Sequence, residues 1–168
     1  MNFGNMPADG GKLILSDEEK KVNAPYLEAA RILTIYCGIF DTDMYGSIPY
    51  TEACVAKFGG PLTPKYDRVE DLYNLWLSEL DGAISVFTAK DATMTSSQDV
   101  VYGGNVEKWA KLANSLKLRI AVRLLAQNPG KAKEIAAAVE NASGGYINST
   151  DETIMSNQAL TRTQSKEH

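Results

Sequence analysis

The chain has 168 residues, 44% of them hydrophobic and 23% charged, enough to bury one sizeable core and too few to make two domains. Its net charge of -4, with the signs interspersed, excludes the clustered basic surface of a nucleic-acid binder. The longest apolar runs fall well short of the roughly 20 residues that span a bilayer, so the chain by itself reads as soluble. Cys37 and Cys54 without a neighbouring histidine cannot form a standard zinc site, and the lone His168 ends the chain, so no metal, cofactor or catalytic residue is expected.

Met1 to Leu15 is rich in Gly, Asn and Pro and reads as loop, with no basic and apolar pair of regions that would make a signal peptide. Ser16-Asp17-Glu18-Glu19 spells a capping box, but the segment it opens is expected to be only a turn or two long. A second start at Asn23, with Pro25 in the first turn, predicts a helix through about Phe40, apolar nearly all round, and Cys37 should be buried on it. Gly46 and Pro49 then break the chain into the loop Phe40 to Ala53, where Tyr45 and Tyr50 invite two readings. They form a stacking platform for a sugar ring, or they cap the core with their hydroxyls facing water, and the residues alone favour the second. Asp41 and Asp43 lack the spacing and late glutamate of a calcium loop. Cys54, on a second apolar stretch, is expected to be buried and unpaired.

Asp67-Arg68-Val69-Glu70 is a capping-box pattern with Asp67 as the cap. It launches a helix to about Thr88 whose core stripe is Val69, Leu72, Tyr73, Trp76, Leu80, Ala83, Ile84 and Phe87. Lys90 to Asp99 is polar and reads as a surface connection without chemistry. Gly103-Gly104 and an Asn105 cap precede the longest helical pattern, which runs to Gln127. Val106, Trp109, Ala113, Leu116, Ile120 and Leu124 form one core face, and Leu118, Val122 and Leu125 a second, which predicts an inner helix. Arg119 and Arg123 are expected to pair with Glu79 or Asp81. Asn128 caps and Pro129 opens a shorter antiparallel helix ended near Ser143-Gly144-Gly145, and the polar tail from Tyr146 has little to bury.

Trp109-x-x-Leu112-Ala113-x-x-Leu116 echoes the first half of a tetratricopeptide repeat, and Leu80, Ala83 and Phe87 match Ala113, Leu116 and Ile120 in phase. These features predict an all-α fold of tetratricopeptide-like helical pairs. Three segments together resemble the SusD/RagB family of outer-membrane nutrient-binding lipoproteins, and its SusD-like branch most closely. They are Ala29 to Ala53 with its YG-x-IPY-x-EA loop, Tyr66 to Ser85, and Val100 to Leu124 with GG-x-x-x-KW-x-K-x-ANSLKLR.

The resemblance divides the chain into an extension over 1–22, a SusD-like helical domain over 23–153 and a polar tail over 154–168. It implies no enzymatic activity, an oligosaccharide or other nutrient as ligand, a TonB-dependent, SusC-like transporter as partner and a full-length parent at the outer-membrane cell surface. Tyr45 and Tyr50 are the positions offered for ligand binding. Family members are commonly far longer, so the chain is expected to be a fragment. The competing reading is a helical-repeat module that binds a partner protein.

Overall fold

The computed structural model describes residues 16–56, 59–142 and 144–154, all helix and connections apart from one isolated antiparallel bridge between Ile48 and Asp67. The expectations for residues 1–15 and for the tail beyond 154 lie outside the described residues. The helices are α1 (Asp17–Tyr45), α2 (Val69–Phe87), α3 (Val106–Leu124) and α4 (Pro129–Glu140), followed by a 3-10 turn at Thr150–Glu152. The expected all-α fold of paired helices is the one observed.

The capping box does more than open a turn. Glu19 N–H donates to Ser16 Oγ at 3.2 Å, Ser16 N–H donates to the Glu19 carboxylate at 2.9 Å, and the helix they begin runs through Pro25 to Tyr45. The start expected at Asn23 is therefore corrected. Asn23 turns its amide back onto Glu19 O at 2.7 Å and reinforces the turn before the proline, while Pro25 itself is buried. An interior proline loses one backbone bond at a cost of about 3 kcal/mol; its burial and the well-capped start offset that loss. Gly46, at φ 74°, ends the helix by donating its N–H to Thr42 O at 3.0 Å.

Helix α3 is the inner helix, packed against α4, α2 and α1. Its expected first face is buried at Trp109, Ala113, Leu116 and Ile120. The second face is not what makes it inner, because Val122 is 64% exposed and Leu125 is also exposed. Leu112, Ala121 and the polar Asn114 and Lys117 take the second contact instead. Asn114 can be buried because its amide donates to Gly145 O at 2.7 Å, and Lys117 reaches the Asp81 carboxylate. The same helix holds residues 144–154, none of which is fully buried. Ile147 N–H donates to Ser115 Oγ at 2.9 Å, Lys111 pairs with Glu152, and Ile147 and Ile154 pack on the core.

Two aromatic clusters divide the core. Trp76 meets Tyr50 edge-on with ring centroids 5.2 Å apart and Tyr73 at 5.9 Å, while Trp109 stacks on Phe87 at 6.1 Å and meets Tyr102 edge-on at 5.1 Å. Both tryptophans belong to the core, as their helical phase predicts. Cys37 and Cys54 are free and exposed, against the expectation of burial. Cys37 lies on the solvent side of α1, and Cys54 sits in a turn at φ 61° rather than on the packed apolar stretch expected there.

Candidate functional site

The loop after α1 is built by an acid that sequence reasoning placed elsewhere. Asp67 was expected to cap α2, yet the N-cap is Arg68, which makes no side-chain cap bond. The Asp67 carboxylate is drawn across the loop, where it accepts from Tyr50 N–H at 3.0 Å, Thr51 N–H at 2.7 Å and Thr51 Oγ1 at 2.9 Å. Two loop N–H groups without helical partners outcompete the helix end for it. Asp67 N–H returns a bond to Ile48 O at 2.9 Å, and Lys65 pairs with Glu52 at 3.2 Å. The Thr51 amide, followed by the other bonds, holds the Asp67 carboxyl below its ordinary range. Residues 48–52 and 65–67 are thus one clamped unit.

The two tyrosines of this loop have different environments. Tyr45, the last residue of α1, is 74% exposed, and Tyr66, beside the clamp, is 71% exposed. Tyr50 is half-buried against Trp76, and burial pushes its hydroxyl pKa up. Gly38 makes that contact possible, since a Cβ there would lie 2.7 Å from Trp76 Cζ2 and 3.1 Å from Tyr50 Cε2. The structure therefore does not bring Tyr45 and Tyr50 together as a paired platform. Tyr45 presents a ring to solvent and Tyr50 anchors the loop from below.

Behind Tyr45 lies an ionic cluster that replaces the pairing expected for the arginines. Asp43 accepts from Arg123 through Nε and Nη2 and stands 3.5 Å from Arg119, whose guanidinium sits 5.6 Å over the Tyr36 ring. Hydrogen bonding to Arg123 holds the Asp43 carboxyl below its ordinary value. Glu79 is 4.0 Å from Arg31, and Asp81 is taken by Lys117, so neither meets Arg119 or Arg123. The reason is register: α1 runs one turn longer than expected and carries Asp43 to the end of α3. Beside this cluster Tyr36, Phe40, Met44 and Val122 are exposed, a largely apolar face on α1 and α3.

A second clamp, at Asp99, was read as plain surface. The buried Asp99 carboxylate accepts from Val101 N–H at 3.0 Å, Tyr102 N–H at 3.1 Å, Gly104 N–H at 2.9 Å and the Trp109 indole at 2.8 Å. Burial alone would raise its pKa; the bonds from Trp109 and the three amides outweigh that and hold it below the ordinary 3.8. The signal available in the sequence was an aspartate just ahead of a Gly-Gly turn, a pattern that invites carboxylate-to-amide bonds. Among the described residues no cluster of His, Cys, Asp or Glu could hold a metal ion, and no helix is long and apolar enough to cross a membrane.

A model of a SusD-like family, described as starch-binding and associating with the outer membrane, matches residues 8–166. No curated protein matches. Among solved structures, the chain is similar to a Bacteroidetes SusD-like protein, AC2a, at 37% identity and a TM-score of 0.63, covering 81% of this chain and 24% of that one. A SusD homologue from Bacteroides uniformis gives 34% identity and 0.67 over 88% and 33% of the two chains. A chitin-binding SusD homologue from Flavobacterium johnsoniae gives 27% and 0.71 over 82% and 28%. The chain thus spans about a quarter to a third of the length of these relatives.

Proposed function

The chain belongs to the SusD-like family, and we propose that it is a non-enzymatic glycan-binding component of an outer-membrane nutrient-uptake system. The observation that carries this reading is a family match over almost the whole chain, set beside an exposed tyrosine, Tyr45, at the end of α1 next to the loop clamped by Asp67. A sugar ring has an apolar C–H face and a polar edge, and an aromatic ring with polar neighbours suits both. Tyr45 supplies the ring, and Tyr50 fixes the loop against Trp76. The partner in this reading is a TonB-dependent, SusC-like transporter at the cell surface.

Binding without turnover is supported by three acids around the loop, whereas burial raises the pKa of a fourth, Glu79, whose charge acts on Tyr50. Asp43 is committed to Arg119 and Arg123, Glu52 to Lys65 and Asp67 to the loop amides, and each is held below its ordinary pKa, the wrong direction for a general acid. Since the relatives are about three times as long, this chain supplies part of a site and binds weakly. The exposed face of Tyr36, Phe40, Met44 and Val122 favours a second reading, a helical module that docks a partner protein. Electrophoretic retardation in gels containing starch, chitin derivatives or other polysaccharides separates the two. Retardation by at least one polysaccharide, lost in Tyr45→Ala with an unchanged thermal midpoint, is expected; no retardation by any of them would refute glycan binding by this chain.

A further inference from the structure

We propose that the cleft where α2, α3 and α4 meet is a subsite for an acidic sugar residue, with its carboxylate held between Lys131 and Arg123. The inference rests on the glycan-binding reading above and adds to it a location and a ligand charge. The cleft has a volume of about 510 Å³, within the ordinary range of small-molecule sites, roughly 300–1,000 Å³. Its floor is apolar, from Val69, Tyr73 and Leu124, and its rim carries the amides of Asn74, Gln127 and Asn128. An apolar floor with an amide rim matches the two faces of a pyranose ring.

The charges select among pyranoses. Lys131 Nζ bonds the neutral Asn74 Oδ1 and has no ion pair among the described residues. Arg123 lines the same cleft, and it and Arg119 share the single carboxylate of Asp43. Asn128 Oδ1 caps α4 at Lys131 N–H, 3.1 Å away, which turns the positive end of that helix toward the same rim. Two carboxylates stand nearby. Glu70, on the rim, faces Arg68 at 3.6 Å, and Glu134, one turn along α4, lines an adjoining, smaller cavity of about 230 Å³ that Asn74 and Lys131 also line. Among the residues that line the cleft, Lys131 and Arg123 therefore outnumber the one carboxylate, Glu70, in a chain whose net charge is -4. The Asp43–Arg123 pair ties the arginine of this cleft to the α1 end that carries Tyr45.

The test is calorimetric titration of the whole chain with trigalacturonate, its methyl ester, maltotriose and inorganic sulfate. Trigalacturonate is expected to bind about tenfold or more tightly than its methyl ester, the loss of one charge-assisted hydrogen bond. Lys131→Met should remove that preference, Lys131→Arg should restore it, and Glu70→Gln should strengthen it, all at unchanged thermal midpoints. Equal binding of acid and ester, or a preference that survives Lys131→Met, would overturn the subsite while a Tyr45-dependent response to maltotriose left the glycan reading standing. Sulfate competing as well as the sugar acid would reduce the cleft to a simple anion site and overturn sugar recognition there. Binding of neither acidic nor neutral saccharide would overturn both readings.

Discussion

Replacing Asp99 removes one carboxylate and strands four donors, which makes the cost calculable from the structure. Of those donors, the Tyr102 N–H and the Trp109 indole are buried, while Val101 and Gly104 are partly buried and can turn to water. Each buried donor left unpaired costs about 1–3 kcal/mol, so Asp99→Ala should cost about 2–6 kcal/mol. A single domain commonly holds only about 5–15 kcal/mol of net stability. The variant should therefore fold but unfold at clearly lower denaturant, by about 1 M urea or more for a slope of roughly 1–3 kcal/mol per molar. Asp99→Asn keeps one acceptor and aims an amide N–H at other donors, so it should fall between the two.

Urea unfolding read by tryptophan fluorescence suits this test, since Trp109 donates directly to Asp99 and the chain has only two tryptophans. The pH dependence gives an independent check of sign. A carboxyl held below 3.8 in the folded chain contributes stability that is fully present above that value and is lost as pH falls through the lower folded value. On acidification below about pH 4, the advantage of wild type over Asp99→Asn should therefore shrink. An Asp99→Ala midpoint within about 1 kcal/mol of wild type would show that the loop pairs its donors another way.

Three further outcomes follow from the packing. Trp109→Ala should cost about 3–5 kcal/mol, because the ring is buried between Phe87 and Tyr102, and urea unfolding read by circular dichroism checks it. Gly38→Ala should cost about 1–3 kcal/mol by pressing a methyl group on Trp76 and Tyr50, and would be near neutral in the same assay if those rings could move aside. A double-mutant cycle between Asp43 and Arg123 should give a coupling of about 1 kcal/mol for this partly exposed pair, whereas a cycle between Arg123 and Glu79 should give none beyond about 0.5 kcal/mol.

What the sequence made legible depended on how local the deciding contact is. The four helices follow from apolar periodicity, and the starts at Asn105 and Asn128 from caps whose partners lie three residues on. Ser16 was legible as a cap too; Pro25 read as the first turn of a new helix from Asn23, and the burial that lets it sit inside one continuous helix is a tertiary fact. Asp67 and Asp99 show the limit more sharply. Each is a capping or turn residue by type, and only the fold brings the Tyr50 and Thr51 amides or the Trp109 indole to them. Arg123 meets Asp43 across 80 positions of sequence, so helix spacing alone pointed it at the wrong acids. Of the loop, Tyr45 and Tyr50 could be named from composition, but which ring faces water depends on Gly38 leaving room for Tyr50 against Trp76.

The location of glycan contact is tested most directly by recording backbone amide shifts of the isotope-labelled chain while titrating the polysaccharide fragment that retards it most in gels. The account predicts weak, saturable shifts concentrated on Tyr45, the clamped residues 48–52 and the strip 65–67, all reduced together in Tyr45→Ala. Shifts that saturate elsewhere and leave those amides unmoved, with Tyr45→Ala titrating like wild type, would contradict it.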